Sequence, residues 1–265
     1  MIKAAIIIER AEVSLGGAER SVFELAAQLR TAGVEATILA AKGNIDSPDV
    51  RILCADRPGK RTPFGLFAQA VKAHLRYNPC DIIHSTLPFD FADIYQPRGG
   101  SYWEAIARNI ASCDNIGVRY CKAATAAFNI RRVALLTAEK RLCAPTGKTI
   151  VCALSDYVKA QFVEYYNLAE ERIVVIGNGV NTQVRIDEDS AGKLRREILD
   201  RLNFSEKDEC VLFLFAANNF RLKGLSSLVR ALARVNSSTP PRPVAVVVAG
   251  NGRPAGCRRL AAKLG

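Results

Sequence analysis

The chain reads Leu214-Phe-Ala-Ala-Asn-Asn-Phe-Arg-Leu-Lys-Gly-Leu225 at the point that decides its fold class. The apolar residues 210–215 predict a strand, and the polar residues after them predict a turn. Apolar residues on one face from about Leu222 to Val235 predict a helix. A strand that leads directly into a helix is the unit from which α/β folds are built.

This stretch carries Arg221 and Lys223 where the carboxyl end of the strand meets the amino terminus of the helix. Free backbone N–H groups and the helix dipole favour an anion at such a place. Two cationic side chains make a diphosphate a natural ligand there. The alternative is a pair of solvated basic residues on an exposed turn.

The composition is that of a folded protein, with 265 residues, 49% hydrophobic and 24% charged. This length allows one large or two ordinary domains. The longest apolar runs have only the length of a strand, so we expect no transmembrane segment. The amino terminus lacks the features of a signal peptide, and we therefore expect a cytoplasmic protein. The eight cysteines include no C-x-x-C pair. We therefore expect buried free thiols and no disulfide or zinc framework.

Strand patterns alternate with helix patterns along the chain, although residues 101–142 are mainly helical. Alternation with apolar strands predicts an α/β fold with a parallel sheet covered on both faces. The Gly/Asn turn at 177–181 predicts a boundary between a Rossmann-like domain, 1–181, and a second unit, 182–265. Because doubly wound sheets usually have five or six strands, we expect this second Rossmann-like domain to be incomplete or completed by another chain.

The loop after the first strand contains the pair Gly16 and Gly17 at the start of a helix. Paired glycines let a ligand approach the backbone closely, but this is not the G-x-G-x-x-G fingerprint, and a tight turn is the alternative. His84 ends a strand and should lie near the crevice where open α/β sheets bind ligands. The alternative for His84 is a hydrogen-bonded core histidine.

Polar and aromatic residues are dense between Leu87 and Glu104, a stretch that we expect to form a loop at the same edge of the sheet. An acidic side chain such as Asp93 could anchor an acceptor hydroxyl, and Tyr102 and Trp103 could stack on a sugar. Turns also collect these residue types for ordinary reasons.

The net charge of +11 is uneven, because residues 98–148 carry nine basic and three acidic residues. Apolar residues at helical spacing accompany them, which predicts a basic amphipathic surface for anionic lipid headgroups or an acidic acceptor. A solvated helix face is the alternative. Only the net charge favours nucleic-acid binding, because the sequence shows neither an aromatic-rich platform nor a recognition-helix motif.

Several motifs together resemble the group 1 (family 4-like) retaining glycosyltransferases, most closely the lipopolysaccharide core glucosyltransferase branch. The resemblance covers nearly the whole chain. It rests on Gly16-Gly-Ala-Glu-Arg20, Leu154-Ser-Asp156, Arg172-Ile-Val-Val-Ile-Gly-Asn-Gly-Val-Asn181, Asn219-Phe-Arg-Leu-Lys-Gly224, Val247-Val-Ala-Gly-Asn-Gly252 and the loop around Asp93-Ile-Tyr95.

This resemblance implies the GT-B fold, with the acceptor bound mainly by the first domain and a nucleotide-sugar by the second. Arg221 and Lys223 would hold the donor diphosphate, and Gly16 and Gly17 would contact it from across the cleft. No metal ion or other cofactor is implied, because the cations stabilise the departing nucleoside diphosphate. The expected partners are a nucleotide-sugar, a glycan or lipid-linked acceptor, and an anionic membrane surface, but no nucleic acid.

The chain departs from the family pattern at two places. The family usually has a histidine or aspartate in the loop that here reads Tyr95-Gln-Pro-Arg-Gly-Gly100. Asp93 is the first candidate for that catalytic role and His84 the second, while Tyr95, Arg98, Tyr102 and Trp103 are candidates for binding the acceptor. The Glu-x7-Glu element of the family is expected beyond Gly252, and this chain ends before reaching it. We therefore expect a carboxyl-terminally truncated chain with little activity alone, or a noncatalytic glycan- or anionic-lipid-binding module.

Overall fold

The structure of the chain is a computed structural model that describes residues 1–12, 16–45, 47–55, 61–113, 115–126, 128–179, 182–183, 185–205, 209–238 and 242–264. These residues form two compact units. One unit comprises Met1–Ala111 and Asn115–Gly179, and the other comprises Ser112–Asp114 and Val180–Gly265. The sequence places the boundary after Asn181, and residues 180 and 181 of that turn lie outside the described part of the chain.

A parallel sheet of seven strands forms the first unit, in the order β3-β2-β1-β4-β5-β6-β7. The strands are β1 (Lys3–Ala11), β2 (Glu35–Gly43), β3 (Val50–Ile52), β4 (Ile82–Ser85), β5 (Ile94–Tyr95), β6 (Ile150–Ala153) and β7 (Ile173–Val175). The helices of this unit are α1 (Gly17–Thr31), α2 (Phe64–Tyr77), α3 (Tyr102–Ala111), α4 (Ile116–Ala126), α5 (Ile130–Leu142) and α6 (Asp156–Tyr166).

β1 is central because its residues 4–8 are all buried, which a strand achieves only with both faces of its sheet covered. Ile6 and Ile8 pack with Val22 and Ala26 of α1 on one face. On the other face Ile7 belongs to a cluster with residues of α2 and its surroundings. The expected α/β architecture with a covered parallel sheet is confirmed.

Strands β5 to β7 share a third cluster with α5 and α6. Ser155 begins α6 as its N-cap, since its hydroxyl accepts a hydrogen bond from Val158 N at 3.3 Å. Asn167 ends the same helix in the left-handed conformation, with φ 50°. α6 begins shortly after the carboxyl end of β6, and its Phe162 packs against Tyr95 of β5 with the ring centroids 6.2 Å apart.

The second unit contains α7 (Glu188–Arg201), β8 (Val211–Ala216), α8 (Leu225–Ser237), β9 (Val244–Ala249) and α9 (Ala255–Leu264). β8 and β9 pair in parallel through all six residues of each strand, from Val211 opposite Val244 to Ala216 opposite Ala249. The strand-turn-helix predicted around residue 214 is present. The helix begins at Leu225 rather than Leu222, because residues 220–224 form tight turns first.

Two sequence expectations about the region from Leu87 to Glu104 need correction. The region is not a continuous loop, since it contains the short strand β5. It also does not stay at one edge of the sheet, because the chain crosses from the carboxyl end of β4 back to the amino end of β5.

All eight cysteines are free thiols, of which five are buried and Cys121 is exposed. Within the described ranges, no helix combines the length and the apolar character needed to cross a lipid bilayer.

Candidate functional site

A crevice of about 200 Å³ borders the carboxyl ends of β1, β4 and β5. It lies beside β1 and β4, where the strand order reverses, which is the usual ligand site of open parallel sheets. Its walls are residues 8–10 of β1, Ala18 and Glu19 of α1, Thr86 and Leu87 after β4, Tyr95 of β5 with residues 97–100, and Tyr102 and Ala105 of α3.

The structure brings several predicted site residues to this crevice. Tyr95, Arg98 and Tyr102 line it, and Gly16 and Gly17 directly precede its wall residue Ala18. Gly16 is the N-cap of α1, with φ 154°, and a Cβ on Gly17 would meet no described atom within 4 Å. Packing against the described residues therefore does not require a glycine at position 17.

Glu139 of α5 holds the two tyrosines of the crevice. Its Oε1 accepts from the Tyr95 hydroxyl at 2.7 Å, and its Oε2 accepts from Tyr102 N at 2.7 Å and from the Tyr166 hydroxyl at 2.5 Å. Burial raises the pKa of Glu139 to about 7. Because Tyr95 is fully buried and its hydroxyl is occupied, it supports the crevice floor rather than offering a polar group to an acceptor.

Arg98 lines the crevice with part of its guanidinium unsatisfied. Its Nε and Nη2 are buried and have no hydrogen-bond partner among the described residues. Burial lowers the pKa of Arg98, because desolvation disfavours the charged form. Gly99 and Gly100 follow in the turn that leads to α3, and Gly100 has φ 78°.

Glu9 lies in the same crevice at the end of β1. Its Oε2 is 2.7 Å from Nη2 of Arg131, whose Nη1 donates to the carbonyl of Thr62 at 3.1 Å. The other carboxylate oxygen, Oε1, is buried without a hydrogen-bond partner within the described part of the chain.

The structure does not bring Asp93 to the crevice. Asp93 stands just before β5, and its Oδ2 accepts from Ile83 N, near the start of β4, at 2.7 Å. In a parallel sheet the starts of strands lie at the edge opposite their carboxyl ends. The expectation that this carboxylate lies at the ligand edge is therefore wrong.

His84 of β4 lies near the site but is not among the residues that line the crevice. Nε2 of His84 is 3.1 Å from Oε1 of Gln96, and burial lowers the pKa of the imidazole to about 4. The side chain is therefore neutral near pH 7. This contact with Gln96 favours the alternative of a hydrogen-bonded histidine for this residue.

Trp103 follows Tyr102 in α3 but faces away from the crevice. It is half-exposed, its ring centroid lies 6.3 Å from that of Tyr165, and it borders an apolar groove of about 470 Å³ between α3, α4 and α5. The structure thus separates the two aromatic residues that were expected to stack on one sugar.

In the second unit, Arg221 and Lys223 are exposed on the turn between β8 and α8. Lys223 N donates to the carbonyl of Asn219 at 3.0 Å, and Leu222 N donates to Oδ1 of Asn219 at 3.1 Å. Nη1 of Arg221 is 3.5 Å from the sulfur of Cys113, a residue of the same unit.

Two glycines after β9 let the chain pass close to this turn. A Cβ on Gly250 would lie 2.0 Å from the carbonyl oxygen of Ala217, and one on Gly252 would lie 2.6 Å from the ring of Phe220. Since Phe220 is buried, this contact supports the turn that presents the two cations.

Comparison with known families gives a match over more than half of the chain. Residues 15–184 match the family described as Glycosyltransferase Family 4. The chain belongs to this family. No curated protein sequence matches it.

Two solved structures resemble this family-4 chain in fold. One is WaaG, a glycosyltransferase involved in lipopolysaccharide biosynthesis, with a TM-score of 0.72 and 19% identity over 98% of this chain and 67% of WaaG. The other is a glycosyltransferase from Rickettsia africae ESF-5, with a TM-score of 0.51 and 15% identity over 99% of this chain and 63% of that one. The chain has the α/β fold of the GT-B type and spans about two thirds of the length of each structure.

Sequence reasoning missed Glu9 and Glu139 as site residues of this family-4 chain. Glu139 lies on the same face of α5 as the buried Leu135 and Leu142, and a carboxylate within an apolar stripe was a usable signal. Glu9 belongs to the charged pair with which β1 ends, at the edge where parallel sheets bind ligands. Its partner Arg131 is 122 residues away, and nothing in the local pattern indicates that pairing.

Proposed function

We propose that this chain takes part in transferring a sugar from a nucleotide-diphosphate sugar to a hydroxyl of a lipopolysaccharide-like or other glycan or lipid-linked acceptor, with retention of the anomeric configuration. Membership of glycosyltransferase family 4 supports the general reaction. The observation that carries the donor assignment is the turn between β8 and α8, which presents two exposed cations on a fixed backbone.

The chemistry needs positive charge at the leaving group. As the bond to the sugar breaks, negative charge develops on the nucleoside diphosphate, and fixed cations lower the energy of that transition state. In this proposal Arg221 and Lys223 supply that charge in place of a metal ion or another cofactor. The family resemblance implies Gly16 and Gly17 as further contacts of the diphosphate, and a Cβ on Gly17 would meet no described atom within 4 Å.

The acceptor role is proposed for the crevice of the first unit. Arg98 and Tyr102 line it, and Tyr95 forms its buried floor, whereas Trp103 lies at the separate apolar groove. Neither Asp93 nor His84 is retained as a catalytic residue, because the first lies at the opposite edge of the sheet and the second is a partly buried, neutral imidazole that does not line the crevice.

Charge reversal at Lys223 tests the donor site without requiring turnover. We expect Lys223→Glu to weaken binding of nucleoside diphosphates to the purified chain by at least roughly tenfold, because a charge-assisted contact becomes repulsive. Titration calorimetry with a panel of nucleoside diphosphates measures this change. Arg234→Glu, an exposed reversal on α8, is the matched control and should bind like the unchanged chain. Equal binding by the Lys223 variant would remove this residue from the donor site.

The second candidate function is a noncatalytic glycan- or anionic-lipid-binding module, and α4 is the observation that favours a lipid contact. All eleven residues of α4 are described and none is buried, although Ile116, Val118 and Tyr120 are large and apolar. Arg119 lies among them. A helix that buries nothing and combines apolar with basic side chains is typical of segments that lie on an anionic membrane surface. The same contact is compatible with transfer to a lipid-linked acceptor, so the two functions do not exclude each other.

A further inference from the structure

The crevice of the first unit contains two charged groups whose hydrogen-bonding capacity is unused. Nε and Nη2 of Arg98 and Oε1 of Glu9 are buried and lack partners among the residues that the structure describes. An unsatisfied buried polar atom costs free energy, and the cost is greater when the group is charged. Both residues line the crevice, so their unpaired atoms indicate which groups a ligand entering it would have to supply.

The unpaired atoms of Arg98 specify an oxyanion. A guanidinium only donates hydrogen bonds, so its partner must accept them. Nε–H and one N–H of Nη2 point in parallel from the same edge of the planar group, and this fork matches two oxygens of a phosphate or carboxylate. Burial also lowers the pKa of Arg98, so a bound anion would relieve a destabilised charge.

The unpaired atom of Glu9 specifies a hydrogen-bond donor. Oε2 of this carboxylate already accepts a hydrogen bond from Nη2 of Arg131. Nη1 of the same arginine donates to the carbonyl of Thr62, which fixes the guanidinium. The side chain is therefore held in place, while Oε1 has no hydrogen-bond partner among the described residues. An ionised carboxylate only accepts hydrogen bonds, so a hydroxyl of the ligand is the complementary group.

We propose that this crevice binds a polyhydroxylated compound carrying an oxyanion, with the phosphate or carboxylate on the Arg98 fork and a hydroxyl on Oε1 of Glu9. This proposal rests on the proposed function in one respect, since it assigns the anionic group to the acceptor rather than to the donor. Glu9 is then a binding residue for the acceptor, held in position by Arg131.

Binding of simple probes tests this subsite in the full chain. Glucose 6-phosphate, glucuronate, inorganic phosphate and glucose are titrated by calorimetry in buffers without phosphate, at one ionic strength set by chloride. We expect an anionic sugar to bind the unchanged chain and glucose to bind at least roughly tenfold more weakly. The comparison of glucose 6-phosphate with glucuronate shows which oxyanion the fork prefers.

Variants at the two residues separate their contributions. Arg98→Gln should weaken the binding of the anionic sugar by roughly tenfold or more. Arg98→Lys should weaken this binding less, because the positive charge remains while the two parallel N–H donors are lost. Glu9→Gln should weaken the binding of the anionic sugar but leave the binding of inorganic phosphate unchanged. Arg76→Gln, which removes an exposed cation from α2, is the matched control and should leave the binding of both probes unchanged.

Thermal unfolding without any probe distinguishes a ligand-binding arginine from a structural one. Since Nε and Nη2 of Arg98 pair with nothing described, Arg98→Gln should melt at the same temperature as the unchanged chain or higher. A structural arginine would lower the melting temperature.

Three outcomes would overturn the proposal. The first is that neither anionic sugar binds the unchanged chain, and the second is that Arg98→Gln binds them equally well. The third is that Arg98→Gln loses nucleoside diphosphate binding to the same extent, which would assign the anion to the donor. A different result would separate the two proposals. If Lys223→Glu binds nucleoside diphosphates normally while Arg98→Gln still binds the anionic sugars more weakly, the donor assignment is wrong and the proposed subsite is supported.

Discussion

Gly100 illustrates how one backbone position shapes the crevice. It has φ 78°, and a Cβ placed on it would lie 2.7 Å from Oε1 of Gln161. That oxygen already accepts a hydrogen bond from Ser101 N at 2.8 Å, immediately before α3. The position therefore needs a glycine both for its dihedral angle and for its space.

Gly100→Ala is expected to destabilise the first unit by about 2–4 kcal/mol, from left-handed strain and from displacement of Gln161. Urea unfolding followed by circular dichroism measures the free energy of unfolding. Gly99→Ala is the matched control, since its Cβ would meet no described atom within 4 Å, and it should stay within about 0.5 kcal/mol. An equal loss in both variants would show that crowding at position 100 is not the cause.

Glu139 makes the stability of the first unit depend on pH. Its pKa is about 7 in the folded chain and returns to about 4.5 when burial is lost. The folded state therefore binds this proton more tightly, so the stabilisation is full below about pH 4.5 and is lost as the pH rises through 7. The sign is opposite to that of a salt-bridged carboxylate.

Glu139→Gln should become more stable relative to the unchanged chain by roughly 2–3 kcal/mol between pH 5 and pH 8. The reason is that glutamine fills the site without titrating. Unfolding free energies at a series of pH values measure the difference, and groups common to both proteins cancel. Glu104→Gln is the control, because hydrogen bonds from Tyr157, Arg108 and Tyr165 lower the pKa of Glu104, so its difference should be flat in this window. A flat difference for Glu139→Gln would contradict the raised pKa.

At the scale of elements, α3 is positioned by contacts with two other helices. Glu139 of α5 accepts a hydrogen bond from the backbone N–H of Tyr102, the first residue of α3. Gln161 of α6 accepts one from the backbone N–H of the preceding residue, Ser101. Glu104 of α3 accepts hydrogen bonds from the hydroxyls of Tyr157 and Tyr165 in α6. The crevice wall at Tyr102 therefore depends on residues far away in the chain.

This dependence explains which elements the sequence could predict. Strands such as β1 and β8 were predictable because their apolar runs are long, and α6 because Ser155 is a recognisable N-cap. β5 was not, since two residues carry no periodicity and its pairing with β4 and β6 is tertiary. Because β5 was not predicted, Asp93 was expected at the wrong edge of the sheet.

The site was predictable to the extent that chain order determines it. Gly16, Gly17 and Arg98 follow strands of a parallel sheet, so their meeting at one edge could be expected. The ion pair of Glu9 with Arg131 and the buried Glu139 could not, because each depends on contacts between distant segments.

At the scale of the whole molecule, a net charge of +11 favours anionic partners in general. Apolar and basic residues coincide on the exposed helix α4 and just after it. Phe128 and Ile130 are among the most exposed hydrophobic residues of the described chain. Charge alone would bring the protein to any anionic surface, whereas apolar side chains at the same place favour a lipid one.

Vesicle sedimentation tests whether the whole molecule uses α4 in this way. The chain should sediment with vesicles containing phosphatidylglycerol but not with neutral phosphatidylcholine vesicles, and binding should fall as salt rises. Tyr120→Ser should weaken binding at every salt concentration, because Tyr120 is 73% exposed and would insert its ring. Arg119→Gln should weaken it by about 1 kcal/mol at low salt only.

Tyr77→Ser is the matched control for this test. Tyr77 is 87% exposed at the end of α2, outside the α4 surface, so its loss removes a similar aromatic area from another place. Equal effects of Tyr77→Ser and Tyr120→Ser would show that the membrane contact does not involve α4. Equal sedimentation with neutral vesicles would show that charge does not select the surface, since the neighbouring cations would then contribute nothing.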